Sequence, residues 1–506
     1  MKKIINTADA KKIFFSFKKE KKNLVLCHGV FDMLHPGHII HLQKAKSLGD
    51  ILIVSITADK FVNKGPGRPV FNEIERARVL SALKVVDFVL INNAATPIKL
   101  FPIIKPNFYC KGSDYKDHKK DITGEIKNEI KAIKKIGGKI FYTDGQTFSS
   151  SNLVNNFSDH ISSYQKKILN SINKLYNFEQ IKKKFNEFNK VKVLIIGEAI
   201  IDEYVFCDAL GKSGKEPVLA LRQMKSEKYL GGSLAIAQNI SNFCNKVKVL
   251  TMIGQKNNYL NYVKNKLNKN ISIELINKKN SPTIVKKRFI DYISHNKVLG
   301  VYDINDDPLT NSDEKKFIKI ILKNIKKYDL VIVSDYGHGL ISKKASDLIS
   351  KNSKFLAVNA QINSSNIGYH SMRKYKNIDC LVINEKEIRH EFRNRSADLK
   401  ILVKMLASEQ KIKNLVVTSG KKGATFYNLK DKSFLFSDAL AKKIVDKIGA
   451  GDSMLGLIAL SLKSGLSKSL SLLIGSLAAA FSIESIANRE PITKIKILKS
   501  IEHLLK

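Results

Sequence analysis

Short apolar runs alternate with segments of helical spacing along most of the chain. Leu24–Cys27 and Ile51–Ile56 are apolar runs of strand length, and apolar residues recur at helical spacing over Ile39–Leu48 and Ile74–Leu83. This alternation predicts parallel strands joined by right-handed helical crossovers. We therefore predict a first α/β domain over residues 1–159.

A second series of strands and helices begins at Val191 and continues to the C-terminus. Its clearest parallel-type strands are Lys248–Ile253, Leu330–Ser334, Phe355–Asn359, Cys380–Ile383 and Leu415–Thr418. Between the two series, residues 160–190 have helical spacing and no strand signal. The pattern predicts a helical connector over 160–190 and a larger α/β domain over 191–506.

Composition adds a strong positive charge to this picture. The 506 residues are 43% hydrophobic, which is enough to bury sizeable cores, and they carry a formal net charge of +41. Nucleic-acid binding is the direct interpretation of such a charge. However, the basic residues are spread over both halves of the chain, and no Lys/Arg run exceeds three residues. A lysine-rich surface explains this distribution better than a nucleic-acid-binding tail, and no nucleic-acid partner is predicted.

Cysteine usage and the absence of targeting signals predict a cytoplasmic protein. The five cysteines are scattered and form no CxxC pair, which argues against a disulfide framework or a zinc site. The longest apolar stretch, Ser469–Ile483, is shorter than the roughly 18–20 residues of a membrane span. We therefore expect a buried helix there and no membrane insertion. The apolar stripe of 160–190 is compatible with a partner helix in a dimer, and we expect a homo-oligomer.

A pair of histidines stands where a buried strand leads into a helix. The sequence there is His35-Pro36-Gly37-His38. Backbone N–H groups and the helix dipole favour phosphate at such a junction. Two histidines three residues apart project from one side of the helix start, so both can donate to a phosphate chain and stabilise a leaving pyrophosphate. A single histidine is more often an ordinary core or surface residue.

The HxGH pattern resembles the cytidylyltransferase-like nucleotidyltransferases over about 25–155. The resemblance continues in the segments KGPGRPVFNEIERARVLSAL (64–83), YCKGSDY (109–115) and TFSSSNLV (147–154). It implies a Rossmann-like fold and the reaction of a nucleoside triphosphate with a sugar 1-phosphate, which gives an NDP-sugar and pyrophosphate.

Residue roles in this first domain follow from the resemblance alone. It implies that His35 and His38 are catalytic and that Lys111 lies on the substrate side. The implied nucleotide- and phosphate-binding residues are Phe31, Asp32, Lys46, Arg76, Ser149, Ser150 and Ser151.

A glycine turn with an aspartate marks a second candidate site near the C-terminus. Gly449, Ala450 and Gly451 precede an apolar helix, and Asp452 follows them directly. Backbone N–H groups at such a turn can hold a transferring phosphoryl group. A carboxylate beside them can take the proton from an attacking hydroxyl. An isolated GxGD would be a weak signal, because glycine turns that end in an N-cap aspartate are common.

This turn resembles the second signature of the ribokinase/PfkB sugar kinases, and other elements of that family follow in order. The resemblance implies a ribokinase-like α/β domain with Asp452 as catalytic base and Gly449, Ala450 and Gly451 at the phosphates. Further implied residues are Asp202, Gly231, Gly232 and Asn239 for the sugar, Asn384 and Glu387 for Mg²⁺, and Thr418, Gly420 and Gly423 for the nucleotide. One departure is DYGHG (335–339), in which His338 replaces the lysine of heptose kinases.

A sugar kinase and a sugar-1-phosphate nucleotidyltransferase in one chain would catalyse successive steps. The pairing resembles the bifunctional heptose-7-phosphate kinase/heptose-1-phosphate adenylyltransferases of lipopolysaccharide synthesis, with the two domains in reverse order. It implies Mg²⁺, ATP and phosphosugar substrates, and it leaves open both the sugar and the choice of ATP or CTP as nucleotide donor. The alternatives are a chain with one active domain and a basic nucleic-acid-binding protein.

Overall fold

The structure is a computed structural model that describes residues 3–116, 121, 123–143, 162–363, 365–441, 443–487 and 489–505. The chain divides into two compact units. The first contains Met1–Ile161 and Leu498–Lys506, and the second contains Ser162–Ile497. The three serines assigned to nucleotide binding, Ser149, Ser150 and Ser151, lie outside the described residues.

The first unit is a parallel sheet with helical connections. Its strands are β1 (Ile4–Ile5), β2 (Leu24–Gly29), β3 (Ile51–Thr57), β4 (Phe88–Asn92), β5 (Phe108–Gly112) and β6 (Lys139–Thr143). Before residue 162, the described part of the chain contains the helices α1 (Thr7–Lys19), α2 (Pro36–Lys46), α3 (Glu73–Ser81), α4 (Phe101–Ile104) and α5 (Glu125–Lys135).

The order of these strands places a crevice beside β2. The described strands pair in the order β1-β4-β3-β2-β5-β6, and all the pairs are parallel. The chain moves outward from β2 in one direction through β3 and in the other through β5. Ligands bind at such a switch point, outside the carboxyl ends of the strands. His35 follows β2, and Lys111 lies at the end of β5.

The second unit is larger and contains two sheets. Its strands are β7 (Lys192–Gly197), β8 (Ala199–Lys212), β9 (Leu219–Gly232), β10 (Lys246–Lys256), β11 (Ile271–Pro282), β12 (Ile284–Asp291), β13 (Lys297–Asp303), β14 (Leu330–Asp335), β15 (Leu356–Ala360), β16 (Cys380–Asn384), β17 (Asn414–Thr418), β18 (Ala424–Asn428) and β19 (Ser433–Ser437).

The helices of the second unit cover the larger sheet. They are α6 (Ser163–Leu175), α7 (Phe178–Glu187), α8 (Ser233–Ile240), α9 (Leu260–Lys266), α10 (Asn311–Asn324), α11 (Lys343–Asn352), α12 (Glu385–Glu391), α13 (Leu399–Glu409), α14 (Ala450–Lys463) and α15 (Lys468–Ile483). A last helix, α16 (Lys494–Leu505), begins in this unit, and its residues from Leu498 onward belong to the first unit.

The strands of the second unit form a wide sheet and a smaller one. The described strands of the wide sheet pair in the order β11-β10-β7-β14-β15-β16-β17-β18-β19, with antiparallel pairing only at β18 and β19. The smaller sheet pairs as β13-β12-β8-β9. The buried core of the wide sheet explains its uninterrupted apolar strands, since parallel strands are covered on both faces.

The segment predicted as a connector packs within the second unit. Helices α6 and α7 bury Ile168, Ile172, Ile181 and Phe185. These side chains belong to the apolar stripe that we considered for a partner helix in a dimer. Because the chain itself covers them, they offer no exposed face for that purpose.

The apolar stretch at Ser469–Ile483 forms most of α15, which is buried as predicted. Among the described residues, no helix is long and apolar enough to cross a membrane.

Candidate functional sites

Asp452 lies in the first turn of α14 at the carboxyl-end edge of the wide sheet. The helix starts after Gly449, whose φ of 84° lies in the left-handed region that favours glycine. First-turn amides have no acceptors within the helix, so they are suited to phosphate oxygens. The Asp452 Oδ1 accepts a hydrogen bond from the Tyr336 hydroxyl at 2.7 Å. Burial raises the pKa of Asp452 to about 6, which suits a general base near neutral pH.

The smaller sheet places Asp202 opposite this aspartate. Arg288 Nη1 donates to Asp202 Oδ1 at 2.5 Å, from the parallel neighbour strand β12. The charge of Asp202 contributes to the raised pKa of Asp452, so the two carboxylates belong to one electrostatic site. A Cβ atom on Gly231 would lie 2.2 Å from Asp202 Oδ2, which means that only glycine leaves room for this carboxylate.

Lys286 adds a second positive charge to this site, beside that of Arg288. Burial lowers the pKa of Lys286, while the charges of Asp202 and Asp452 act in the opposite direction. Its Nζ lies 5.6 Å from the centre of the Tyr336 ring. An ammonium group between two carboxylates can also receive the negative charge of a sugar phosphate.

Asn239 connects the glycine turn of the sugar side to the helix of Asp452. Its Nδ2 donates to Ser453 Oγ at 3.1 Å. Both groups are buried, and the bond joins α8 to the first turn of α14. Gly232, with φ of 59°, ends β9 and allows α8 to start there. Asn239 therefore acts as a link between two helix starts.

The residues assigned to Mg²⁺ form a capping box at the start of α12. The Glu387 carboxylate accepts the Asn384 N–H at 2.8 Å and the Ile362 N–H at 3.2 Å. Burial raises the pKa of Glu387 to about 7, and the charge of Asp452 adds to the effect. Asn384 Nδ2 also donates to Thr418 Oγ1 at 3.3 Å. The capping box is thus joined to the loop assigned to the nucleotide.

The loop after Thr418 depends on two glycines. Gly420 has φ of 58° and Gly423 has φ of 87°. A Cβ atom on Gly423 would lie 2.0 Å from the carbonyl oxygen of Ser437, so a larger residue would push the loop away from β19. The structure therefore places both glycines in a tight turn at the carboxyl end of β17.

In the first unit, His35 and His38 come together at the start of α2. His35 is the N-cap residue, and the two ring centres lie 3.8 Å apart in a stacked arrangement. Burial lowers the pKa of both rings, to about 3 for His38, and the nearby Lys64 ammonium lowers them further. Both imidazoles are therefore neutral at pH 7. A neutral ring can donate one N–H to a phosphate oxygen.

Phe31 and Asp32 hold the turn beside this pair. Phe31 has a positive φ of 48°, and its ring centre lies 5.3 Å from that of His38. Asp32 accepts hydrogen bonds from Arg68 Nη1 at 2.8 Å and from the Val70 N–H at 2.6 Å. These bonds position the loop that begins at Lys64, so Asp32 contributes indirectly to the charge at the histidines.

Lys111 lies across the switch point from the histidines. Its Nζ pairs with Glu129 at 3.1 Å and lies 4.6 Å from the centre of the Tyr115 ring. Burial alone would lower the pKa of Lys111, but Tyr115 and Glu129 more than offset this and raise it. The lysine is charged at the position that the resemblance assigns to the sugar phosphate.

The structure places Lys46 away from the histidine pair. This residue ends α2, whereas the histidines stand at the start of that helix. At 1.5 Å per residue, about 12 Å of helix separate Lys46 from His38. Its Nζ instead pairs with Asp87 at 2.5 Å and donates to the Asp50 carbonyl at 2.6 Å. Lys46 therefore stabilises the far end of the helix.

Arg76 is also used differently from the prediction. Its side chain is fully buried, and its Nη2 donates to Asp59 Oδ1 at 2.5 Å and to the Thr57 carbonyl at 2.8 Å. The Nη1 donates to the Val30 carbonyl at 2.6 Å. A guanidinium group engaged in this way connects the ends of neighbouring strands.

Comparison with known proteins decides the family. A model of the pfkB family of carbohydrate kinases matches residues 190–495, which is more than half of the chain. The chain belongs to the pfkB family. A second family model, described as cytidylyltransferase-like, matches residues 26–165 of this chain. Both predicted families are confirmed, with the cytidylyltransferase-like part first.

The relatives of this pfkB-family chain include proteins that are named bifunctional. It is 42% identical over 121 residues to "Bifunctional protein HldE" of Aliarcobacter butzleri, which covers 23% of this chain and 25% of that protein. It is 40% identical over 124 residues to the protein of the same name in Helicobacter pylori, covering 24% and 27%. The matches span about a quarter of the length of these curated relatives.

Solved structures confirm the fold of the second unit. Phosphofructokinase-2 from Escherichia coli in complex with potassium matches with a TM-score of 0.52 and 14% identity, over 62% of this chain and 100% of that one. The same enzyme in complex with fructose-6-phosphate matches with a TM-score of 0.51 and 15% identity over the same shares. At this identity the likeness shows the fold alone.

Four side chains in this pfkB-family chain contribute to the sites without having been predicted. In the kinase-like unit they are Lys286, Arg288 and Tyr336, and in the first unit Lys64. In the segment TIVKKRF (283–289), Lys286 and Arg288 are two residues apart and so lie on one face of a strand, which is a signal that the sequence carried. For Tyr336 and Lys64, the only signal was their presence in segments already matched to the families.

Proposed function

We propose that this chain phosphorylates a sugar at its anomeric hydroxyl and then converts the sugar 1-phosphate into an NDP-sugar. The proposed kinase step converts heptose 7-phosphate and ATP into heptose 1,7-bisphosphate and ADP. After a separate phosphatase has removed the 7-phosphate, the proposed transfer step converts heptose 1-phosphate and ATP into ADP-heptose and pyrophosphate. The arrangement that carries the proposal is the Asp452 carboxylate, with its raised pKa, in a helix first turn beside Asp202 and Lys286. The histidine pair of the first unit supplies the second chemistry.

In the kinase step, Asp452 removes the proton from the anomeric hydroxyl. The sugar oxygen attacks the γ-phosphorus of ATP, the bond from that phosphorus to the bridging oxygen breaks, and ADP leaves. The first-turn amides of α14 receive the charge on the transferring phosphoryl group. Asp202 orients the sugar hydroxyls, and Lys286 lies near enough to attract the sugar phosphate.

Glu387 and Asn384 fit a role near a magnesium ion. Among the described residues, no three His, Cys, Asp or Glu side chains gather into a metal-binding group. Mg²⁺ retains waters and phosphate ligands and needs few protein carboxylates, so this is compatible with binding together with ATP. Because burial raises the pKa of Glu387, a nearby cation would help this carboxyl group to ionise. The ion would neutralise charge on the ATP phosphates.

In the nucleotidyl step, the sugar phosphate oxygen attacks the α-phosphorus of the triphosphate and pyrophosphate leaves. His35 and His38 donate to phosphate oxygens, and Lys64 adds a positive charge on their side. Lys111 attracts the incoming sugar phosphate from the end of β5. The protein acts here through positioning and charge stabilisation, without a covalent intermediate.

Two substitutions test whether the sites work separately. Asp452→Asn should lower sugar phosphorylation by about 10²–10⁴-fold, the usual contribution of a general base. It should leave nucleotidyl transfer to supplied heptose 1-phosphate unchanged. His38→Ala should have the reverse effect. The products are measured by mass spectrometry after incubation of heptose 7-phosphate or heptose 1-phosphate with ATP or CTP.

The same incubations identify the nucleotide donor and can contradict the proposal. Heptose 7-phosphate should give heptose 1,7-bisphosphate, and heptose 1-phosphate should give ADP-heptose. If heptose 1-phosphate gave only CDP-heptose, CTP would be the nucleotide donor of the second step. If either substitution abolished both activities in folded protein, the chain would not have two independent sites.

A further inference from the structure

The last residues of the chain belong to the first unit, although they follow the second unit in sequence. Leu498–Lys506 is grouped with Met1–Ile161. Leu498, Ser500 and Ile501 are buried, so this end of α16 is packed. Its side chains lie beside residues that flank the proposed nucleotidyltransferase site.

Ser500 packs against the loop that presents Lys64. A Cβ atom on Gly65 would lie 3.2 Å from Ser500 Oγ and 3.4 Å from its Cβ. Gly65 has φ of 101°, so the loop turns sharply where it meets the C-terminal helix. The preceding residue, Lys64, carries the ammonium group that lowers the pKa of His35 and His38. A shift of Ser500 would therefore move Lys64 relative to the histidines.

Lys499, the residue before Ser500 in this helix, lies near enough to Lys111 for their charges to interact. It is half-buried, and burial lowers its pKa. The charges of Asp121 and Glu502 raise the pKa of Lys499, while the charge of Lys111 lowers it further. Two ammonium groups held near each other are unfavourable unless anions lie close by. Glu129 already pairs with Lys111, and Asp121 also accepts the Ile126 N–H that starts α5.

We infer that the C-terminal segment Leu498–Leu505 is part of the nucleotidyltransferase site, where Lys499 attracts the sugar phosphate with Lys111 and Ser500 positions Lys64. A phosphate that binds between the two lysines relieves their repulsion and gains from both. This inference rests on the proposed nucleotidyl transfer. It assigns the specificity for an anionic sugar to a residue that neither family pattern contains.

The first experiment replaces Lys499 in the full chain. Lys499→Met should raise KM for heptose 1-phosphate about tenfold, which corresponds to about 1.4 kcal/mol, with little change in kcat or in KM for ATP. Lys499→Arg should restore most of the affinity. Lys496→Met is the matched control, because Lys496 lies in the same helix but pairs with Glu490 in the second unit. Kinase activity of each variant reports that the second unit is folded, and an unchanged kcat of nucleotidyl transfer reports that the first unit is folded.

The second experiment uses Ser500→Leu and inorganic pyrophosphate as the probe. The larger side chain should displace Gly65 and Lys64, and calorimetric titration should show pyrophosphate binding weakened about tenfold. Lys499→Met should bind pyrophosphate like the unaltered chain.

The inference for Lys499 would be overturned if Lys499→Met left KM for heptose 1-phosphate unchanged. It would also be overturned if Lys499→Met and Lys496→Met changed this KM equally. Unchanged pyrophosphate binding in Ser500→Leu would overturn it for Ser500. If the unaltered chain made no NDP-heptose with either nucleotide, the proposed function would fail instead. The pyrophosphate titration would then still decide the role of the C-terminal segment, because it needs no turnover.

Discussion

At the scale of single residues, neighbouring charges determine how Asp452 can act. Burial and the charge of Asp202 raise its pKa, while the Tyr336 hydroxyl and Lys286 lower it. Without Tyr336 and Lys286, the pKa of Asp452 would be higher, and more of the carboxyl group would be protonated near neutral pH. Tyr336 and Lys286 therefore keep Asp452 available as a base at pH 7.

Removal of the Tyr336 hydroxyl should shift the pH dependence of the kinase step. Asp452 must be ionised to accept a proton, so activity should fall as the pH drops through about 6. Tyr336→Phe removes a bond that lowers the pKa of Asp452, so this acid limb should move to higher pH. The expected shift is roughly one pH unit or more, since a hydrogen bond to a charged group contributes about 1.5–3 kcal/mol.

The shift is measured from kcat/KM for the sugar over roughly pH 5 to 8, a range that brackets the Asp452 pKa of about 6. Tyr427→Phe is the control, because Tyr427 lies buried in the antiparallel strand β18, which pairs with β17 and β19. An acid limb at the same pH in Tyr336→Phe and the unaltered chain would contradict the role given to Tyr336.

At the scale of elements, each site is assembled at a helix start with its own capping chemistry. Helix α14 starts from Gly449 in the left-handed region, and α2 starts from His35 followed by Pro36. Helix α12 starts from the capping box of Asn384 and Glu387. The capping box satisfies amides that the helix leaves open, so a residue assigned to Mg²⁺ also stabilises the fold.

A matched pair of substitutions separates these two roles. Asn384→Ala and Asn177→Ala each remove the asparagine of a capping box, at α12 and α7 respectively. Each should lower the free energy of unfolding by about 1 kcal/mol in urea titrations. Only Asn384→Ala should raise the Mg²⁺ concentration needed for half-maximal sugar phosphorylation. The same Mg²⁺ requirement in both variants would show that Asn384 serves the helix alone.

At the scale of the whole molecule, the net charge of +41 coexists with two sites for small anions. Both proposed sites lie at the carboxyl ends of parallel strands, where helix starts and loops gather. A few basic residues work there, among them Lys64, Lys111 and Lys286. Others form ion pairs far from these sites, such as Lys46 with Asp87. The charge therefore indicates anionic substrates and a lysine-rich surface.

We expect duplex DNA to bind weakly at physiological salt. A spread of lysines without a groove-reading element should give a dissociation constant no tighter than about 10 µM near 150 mM salt. Fluorescence anisotropy of a labelled duplex over a salt series measures this. Sub-micromolar binding that persists at that salt concentration would favour the nucleic-acid-binding alternative.

The sequence by itself determined the local features of this protein. Apolar alternation predicted two α/β domains, and the family resemblances located the histidine pair, the Asp452 turn and the glycines. These signals are local, because a strand, a turn or a helix start is specified by residues close together in the chain.

Tertiary structure decided which distant residues share a site. Arg288 meets Asp202 across 86 positions, and Tyr336 meets Asp452 across 116. It also directed Arg76 into the protein interior and brought Ser500 to Gly65. Such pairings depend on strand order, register and the packing of helix ends, which the local pattern does not specify.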